Sequence, residues 1–252
     1  MIAWPMVDPW FYGVAIPAVI VLGISKSGFG SGLGSIAVPL MAMVVSVPAA
    51  AAILMPVLLV LDLLSIHAFR KDYDKDLLKW LIPWSIFGVF IGYLSFKTLD
   101  SRWVSGIVGV CTLLFLVQRI FFPKSRSFSS TSKRTGIVLT ITSGFTSFLA
   151  HAGGPPINAF MLPLNLAPMR FAATLAVLFT CVNLSKWVPY SLLGLLDTQN
   201  MMTSLTLLPF APIGVWLGIR WAKKMKPDLF FKLVHVGMFV TGCKLIWDAF
   251  GS

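Results

Sequence analysis

AAAAILMPVLLVLDLLSI, residues 49–66, contains a single ionisable group, Asp62, in eighteen positions. A helix rises about 1.5 Å per residue, so roughly 20 apolar residues cross the hydrocarbon core of a bilayer. A strand of a membrane barrel would alternate apolar and polar residues over about ten positions. This run does not alternate, so it reads as a membrane-spanning helix.

The rest of the chain agrees. Its 252 residues are 57% apolar and 12% charged, with mean hydropathy +0.86. An ordinary soluble domain carries about a quarter charged residues. Twenty Lys/Arg and nine Asp/Glu cannot keep so apolar a surface in water, and the same composition excludes disorder. The net charge of +11 is that of basic loops on the cytoplasmic side of a membrane, not of a nucleic-acid binder. Cys111, Cys181 and Cys243 lie far apart in apolar runs and suggest neither a disulfide framework nor a metal site. The N-terminal MIAWPMVDPW has no basic region of a cleavable signal peptide.

Outward from residues 48–69, apolar runs of spanning length fall at 80–96 and 103–122, and again at 171–193, 201–221 and 229–250. Two stretches are interrupted. Residues 10–45 break at GISKSGFGSGLGS (23–35), and residues 135–166 break at AHAGGPP (150–156). The expected organisation is a first repeat over 1–122, a polar cytoplasmic linker at 123–134 and a second repeat over 135–252. Sequence matches support a duplication. SGF-S-L at 27–33 recurs at 143–149, an offset of 116, and P-x4-G-V-x2-G at 83–92 recurs at 209–218, an offset of 126. Between them Pro48, Ala52, Val57 and Ser65 match Pro168, Ala172, Val177 and Ser185 at an offset of 120.

Fifteen of the 20 Lys/Arg fall in 70–79, 119–134, Arg170 and 220–232, which places those loops in the cytoplasm. The first interrupted stretch then leaves and returns to the outer face, while the second enters from the inside. The predicted fold is an all-α polytopic membrane protein of two inverted-topology repeats. Each repeat is a re-entrant broken-helix hairpin followed by three transmembrane helices. Both termini fall outside, and the expected location is a bacterial inner (plasma) membrane. The alternative makes 10–29 a full span followed by a long tilted helix.

Non-helical backbone at membrane depth survives only where protein or a water-filled cavity surrounds it. Two such breaks therefore point to a shared substrate site. A helix start at each break would present N–H groups and the positive dipole end to a small anion. Gly28, Gly30, Gly32, Gly34, Gly153 and Gly154 would let backbone approach a ligand, or else serve close helix packing, the role also open to Gly106 and Gly109. Pro155 and Pro156 suit a first helical turn. Lys26 either faces substrate, snorkels or pairs with a carboxylate. Lys186, beside Asn183, either contacts ligand or snorkels to the interface. Asp62 carries a coupling proton or neutralises a lysine. His151 donates to an anion, titrates near neutral pH or packs. Ser31, Ser35 and Asn158 are candidate neutral ligands, and His67 and His235 read as interfacial. No H-E-x-x-H or G-x-S-x-G pattern appears, and neither catalysis, cofactor nor metal is expected. The glycine run lacks the G-K-[ST] ending of a phosphate loop.

GISKSGFGSGLGSIAVPLM (23–41), with SGFTSFLAHAGGPPINAFML (143–162), resembles the TauE/SafE family of sulfite and organosulfonate permeases, also called the TSUP family. The likeness extends over nearly the whole chain. One departure is Ser27, where the family often has glycine after the lysine. The resemblance implies secondary transport of sulfite, sulfoacetate or a related small anion. The partners expected are that anion and the lipid bilayer, with proton or sodium coupling and a homodimer both open, and no nucleic acid. An anion channel, or a transporter of another anion such as a carboxylate, is the alternative.

Overall fold

The structure, a computed structural model, describes residues 6, 8–26, 34–69, 73–98, 100, 133–161, 164 and 166–222, together with scattered positions within 102–117 and 236–251. The described residues contain no strand.

Helix α1 (Pro9–Ile24) starts where the Asp8 carboxylate accepts the Trp10 N–H at 2.9 Å and Pro9 occupies the first turn. Its 16 residues reach about 24 Å, short of the roughly 30 Å core. The backbone loosens into a π-type turn at Ser25 and Lys26, and residues 27–33 lie outside the described set. A 3-10 turn, Gly34–Ile36, leads into the five-residue α2 (Ala37–Met41). The chain turns again before α3 (Val47–Phe69), so the long helix of the alternative arrangement is not formed.

Helix α4 (Lys75–Thr98) begins ahead of the predicted 80–96 because Asp74 caps it, accepting the Leu77 N–H at 3.0 Å. Then follow α5 (Lys133–Ala150), α6 (Gly154–Met161) and α7 (Pro168–Leu192). Helices α3, α4 and α7 hold segments long and apolar enough to cross a membrane, Val47–His67, Lys75–Phe96 and Arg170–Leu192. The run 201–221, expected as one span, holds two helices that are together long and apolar enough for one bent span. These are α8 (Thr198–Leu207) and α9 (Phe210–Ala222), bent by 43°. Pro209 sits at the bend, where its missing N–H and its ring break the helical ladder. The predicted spans 103–122 and 229–250 lie mostly outside the described residues, and linker residues 123–132 lie there entirely. At the described positions of 102–117 and within 236–250 the chain is helical.

Among the described residues, α3 packs on α7, α4 on α5, and α1 on α9, while positions of 102–117 meet 236–250. Glycines allow the closest crossings. A Cβ on Gly144 would overlap the Ser85 carbonyl, and one on Gly88 the Ile141 carbonyl. A Cβ on Gly214 would lie 2.6 Å from the Ile20 carbonyl, and one on Gly109 would lie 3.0 Å from that of Gly242. The packing role weighed for Gly109 is thus the one observed.

Large apolar side chains remain on the outside, among them Leu63, Phe87, Phe90, Val188, Leu192 and Trp216. So broad an apolar exterior is the surface of a protein solvated by lipid.

Candidate functional site

Helices α3 and α7 pack against each other, and each carries ionisable or amide side chains at the contact. Asp62 on α3 is 1% exposed; on α7, Asn183 is 4% exposed and Lys186 is not exposed at all. Helical spacing explains the α7 pair, since residues three apart share a face.

These groups join into one chain of contacts. Lys26, at the end of α1, forms an ion pair with the Asp62 Oδ1 oxygen. The other carboxylate oxygen, Oδ2, accepts from Asn183 Nδ2 at 2.6 Å. Asn183 Oδ1 in turn accepts from Lys186 Nζ at 2.8 Å. Lys186 Nζ also lies 3.1 Å from His151 Nδ1, and His151 Nε2 lies 2.8 Å from the Ala51 carbonyl of α3. The carbonyl can only accept and an ammonium can only donate. These partners therefore assign His151 as the neutral ring with its proton on Nε2. Tyr190, one turn beyond Lys186, stacks on the His151 ring and donates its hydroxyl to the Phe148 carbonyl at 2.6 Å.

The structure thus brings together Lys26, Asp62, Asn183, Lys186 and His151 from positions far apart in the chain. Lys26 pairs with a carboxylate rather than snorkelling, and Asp62 neutralises it. Lys186 does not snorkel. Its side chain is fully buried, and its amino group reaches the amide of Asn183 and the imidazole of His151. An ammonium buried in this way has exchanged water for two hydrogen bonds and no direct carboxylate contact among the described residues.

The break between α5 and α6 is held by its own hydroxyls. Ser143 Oγ donates to the Gly153 carbonyl at 2.6 Å, and Thr146 Oγ1 lies 3.0 Å from the Ala152 carbonyl. His151 adopts φ of 51°, a left-handed conformation uncommon outside glycine. It aims the ring across the molecule to α3. Ser143, Thr146 and Tyr190 were not among the expected site residues. Ser143 had a signal, as the first residue of the repeated SGF-S-L match, and so did Tyr190, four residues beyond Lys186 on the same helical face.

Other expected site residues fall differently. Gly28, Gly30, Ser31 and Gly32 lie outside the described residues. Gly34 and Gly153 press on the first helix of their own hairpin. A Cβ on Gly34 would meet Leu22 at 3.0 Å, and one on Gly153 would meet the Ser143 carbonyl at 2.7 Å. Ser35 belongs to the 3-10 turn, Gly154 and Pro155 open α6, and Asn158 lies half-buried on α6. His67 is exposed near the end of α3, while His235 lies outside the described residues.

The helix starts offer less to an anion than expected. Helix α2 has only five residues, too few to build a useful macrodipole. In the first turn of α6, Pro155 and Pro156 have no N–H to donate, and the Ile157 N–H reaches back to the Gly153 carbonyl at 3.5 Å. The positive charge available at the centre is carried by the lysine side chains.

Comparison with known proteins completes the picture. The family described as "Sulfite exporter TauE/SafE" matches residues 15–245, nearly the whole chain. Searches of curated proteins and of solved structures return no match. The chain belongs to the TauE/SafE sulfite exporter family, whose membership implies a membrane exporter of sulfite or a related sulfur anion.

Proposed function

We propose that this protein is a secondary transporter that carries a small sulfur oxyanion, such as sulfite, sulfoacetate or a related organosulfonate, by alternating access. The anion is held at the buried cluster of Lys26, Asp62, Asn183, Lys186 and His151. One observation carries the reading. Among the described residues, two lysines and one carboxylate converge at the α3–α7 crossing, and the second lysine is fully buried. Intramembrane ionisable groups that face the bundle interior mark substrate and ion pathways.

The architecture proposed for this motion is the pair of inverted repeats. Helix pairing supports it. The first hairpin helix, α1, packs on α9 of the second half, and the second half's hairpin helix, α5, packs on α4 of the first. Gly88 and Gly214, equivalent at the offset of 126, make those two crossings. Each faces one hairpin glycine, Gly144 and Gly23 respectively, which are 121 apart, as are the touching residues Ile141 and Ile20. A hairpin register of 121 stands next to the 120 of the following spans. It is a better register than the 116 of the SGF match. In this register α3 and α7 are counterparts, and the proposed twofold axis would pass through the cluster they share.

Proteoliposomes holding the full chain test the function. The expected result is saturable flux of a sulfur anion, lost in Lys26→Gln, a variant that keeps a donor for Asp62 while removing the charge. Non-saturating flux would make the protein a channel. Wild-type flux in Lys26→Gln would remove the anion from this cluster.

A further inference from the structure

Charge bookkeeping at the cluster goes beyond the choice of site. Lys26 is cancelled by Asp62 in direct contact. Asn183 and Tyr190 are neutral, and the Tyr190 hydroxyl is occupied by the Phe148 carbonyl. His151 cannot take a second proton while Nε2 donates to Ala51 and Nδ1 accepts from Lys186. If the shared proton moved from Lys186 to His151, the pair would still carry a single positive charge. Residues 27–33, next to Lys26 in the chain, read SGFGSGL and contain no ionisable group. Among the described residues the cluster therefore offers at most one positive charge not already met by a carboxylate.

We infer that the site selects singly charged anions, with Lys186 supplying the charge that the anion neutralises and Asp62 setting the limit by cancelling Lys26. This rests on the function proposed above and adds the charge class of the substrate. The physical reason is desolvation. Each ion removed from water costs several kcal/mol unless a partner offsets it. A monoanion beside Lys186 brings the cluster to neutrality. A dianion leaves one negative charge buried and uncompensated, next to Asp62. For a sulfur oxyanion with two ionisations, the hydrogen-bearing, singly charged form is the one carried.

Methanesulfonate and sulfate separate charge from shape, because both are tetrahedral at sulfur and differ by one charge. Titrating each into detergent-purified full-length protein by calorimetry should show methanesulfonate binding tighter by about tenfold or more. Asp62→Asn, which keeps the side-chain volume and leaves both lysines uncancelled, should shift that ratio towards sulfate by a similar factor. Asp62→Glu retains the charge and should retain the wild-type preference. Lys186→Gln should lose methanesulfonate binding. Sulfate bound as tightly as methanesulfonate by the wild type, or an Asp62→Asn ratio unchanged in folded protein, overturns the charge rule alone. No binding of either anion, nor of sulfite, by folded wild type overturns the anion-transport reading itself.

Discussion

The two interruptions of the chain contribute different chemistry to one place. The break between α5 and α6 is neutral and held from within. Ser143 caps the Gly153 carbonyl at 2.6 Å, Thr146 lies within 3.0 Å of that of Ala152, and His151 turns through a positive φ to reach α3. The break after α1 supplies a full charge, since Lys26 extends from the last loosened turn to Asp62. The side chains at the two breaks therefore differ in role. One break carries the cation, and the other carries the imidazole that orients a second cation, Lys186, from α7. Asp62 and Asn183, on the two crossing spans, link the halves at 2.6 Å.

The same contrast holds at the helix crossings, and substitutions there should sharpen it. A methyl at Gly144 would overlap the Ser85 carbonyl, backbone that cannot step aside. A methyl at Gly23 also meets backbone, Gly214 Cα at 2.9 Å and the Ala211 carbonyl at 3.0 Å, but with less overlap, so the helices part by less. Gly144→Ala should therefore cost about 3 kcal/mol or more, and Gly23→Ala about 1–2 kcal/mol. Thermal melting in detergent reads both, with Gly13→Ala as a control, because nothing lies within 4 Å of the added methyl there. Equal losses would mean that the two crossings are equally tight.

A smaller effect is expected at the neutral break. Ser143→Ala leaves the buried Gly153 carbonyl without its hydroxyl, a loss of about 1–2 kcal/mol. Local opening should then show as faster hydrogen exchange in 151–157 with little change at α3. An unchanged exchange rate would mean that the hydroxyl is not what holds the break. Smallest of all, the Arg170–Asp74 pair spans 3.0 Å at the surface with the arginine side chain 53% exposed. Uncoupling it in a double-mutant cycle should yield less than about 1 kcal/mol, since solvent screens such a pair. A larger coupling would give this surface contact, outside the two breaks, a structural weight comparable to theirs.

Much of this was legible in order along the chain. The spans at α3, α4 and α7, the shortness of α1, the break at AHAGGPP and the residues of the buried cluster all follow from runs of apolar residues and the rarity of charge within them. Less legible was whatever depends on a neighbour distant in sequence. Lys186 read equally well as a snorkelling lysine, because position within a run says nothing about whether a carbonyl-bound histidine will stand beside it. The helix starts at the breaks read as anion sites. Only the short length of α2, and the crowding of prolines and a returned N–H in α6, reduced that role. The run 201–221 is apolar enough to cross as one helix, and the bend at Pro209 divided it.

By itself, then, the sequence determined the solvent of this protein and its helical class, because hydropathy and period are local properties that act on each segment separately. It also determined which ionisable groups would have to be buried, since a charge inside an apolar span has no route to water except through a partner. The tertiary structure alone decided who those partners are. Lys26 meets Asp62, Asp62 meets Asn183, and Lys186 meets His151, because helices α1, α3, α5 and α7 converge on one crossing. Pairing energies in a low-dielectric interior depend on separations of a few ångströms, and those separations are set by helix packing rather than by position in the chain.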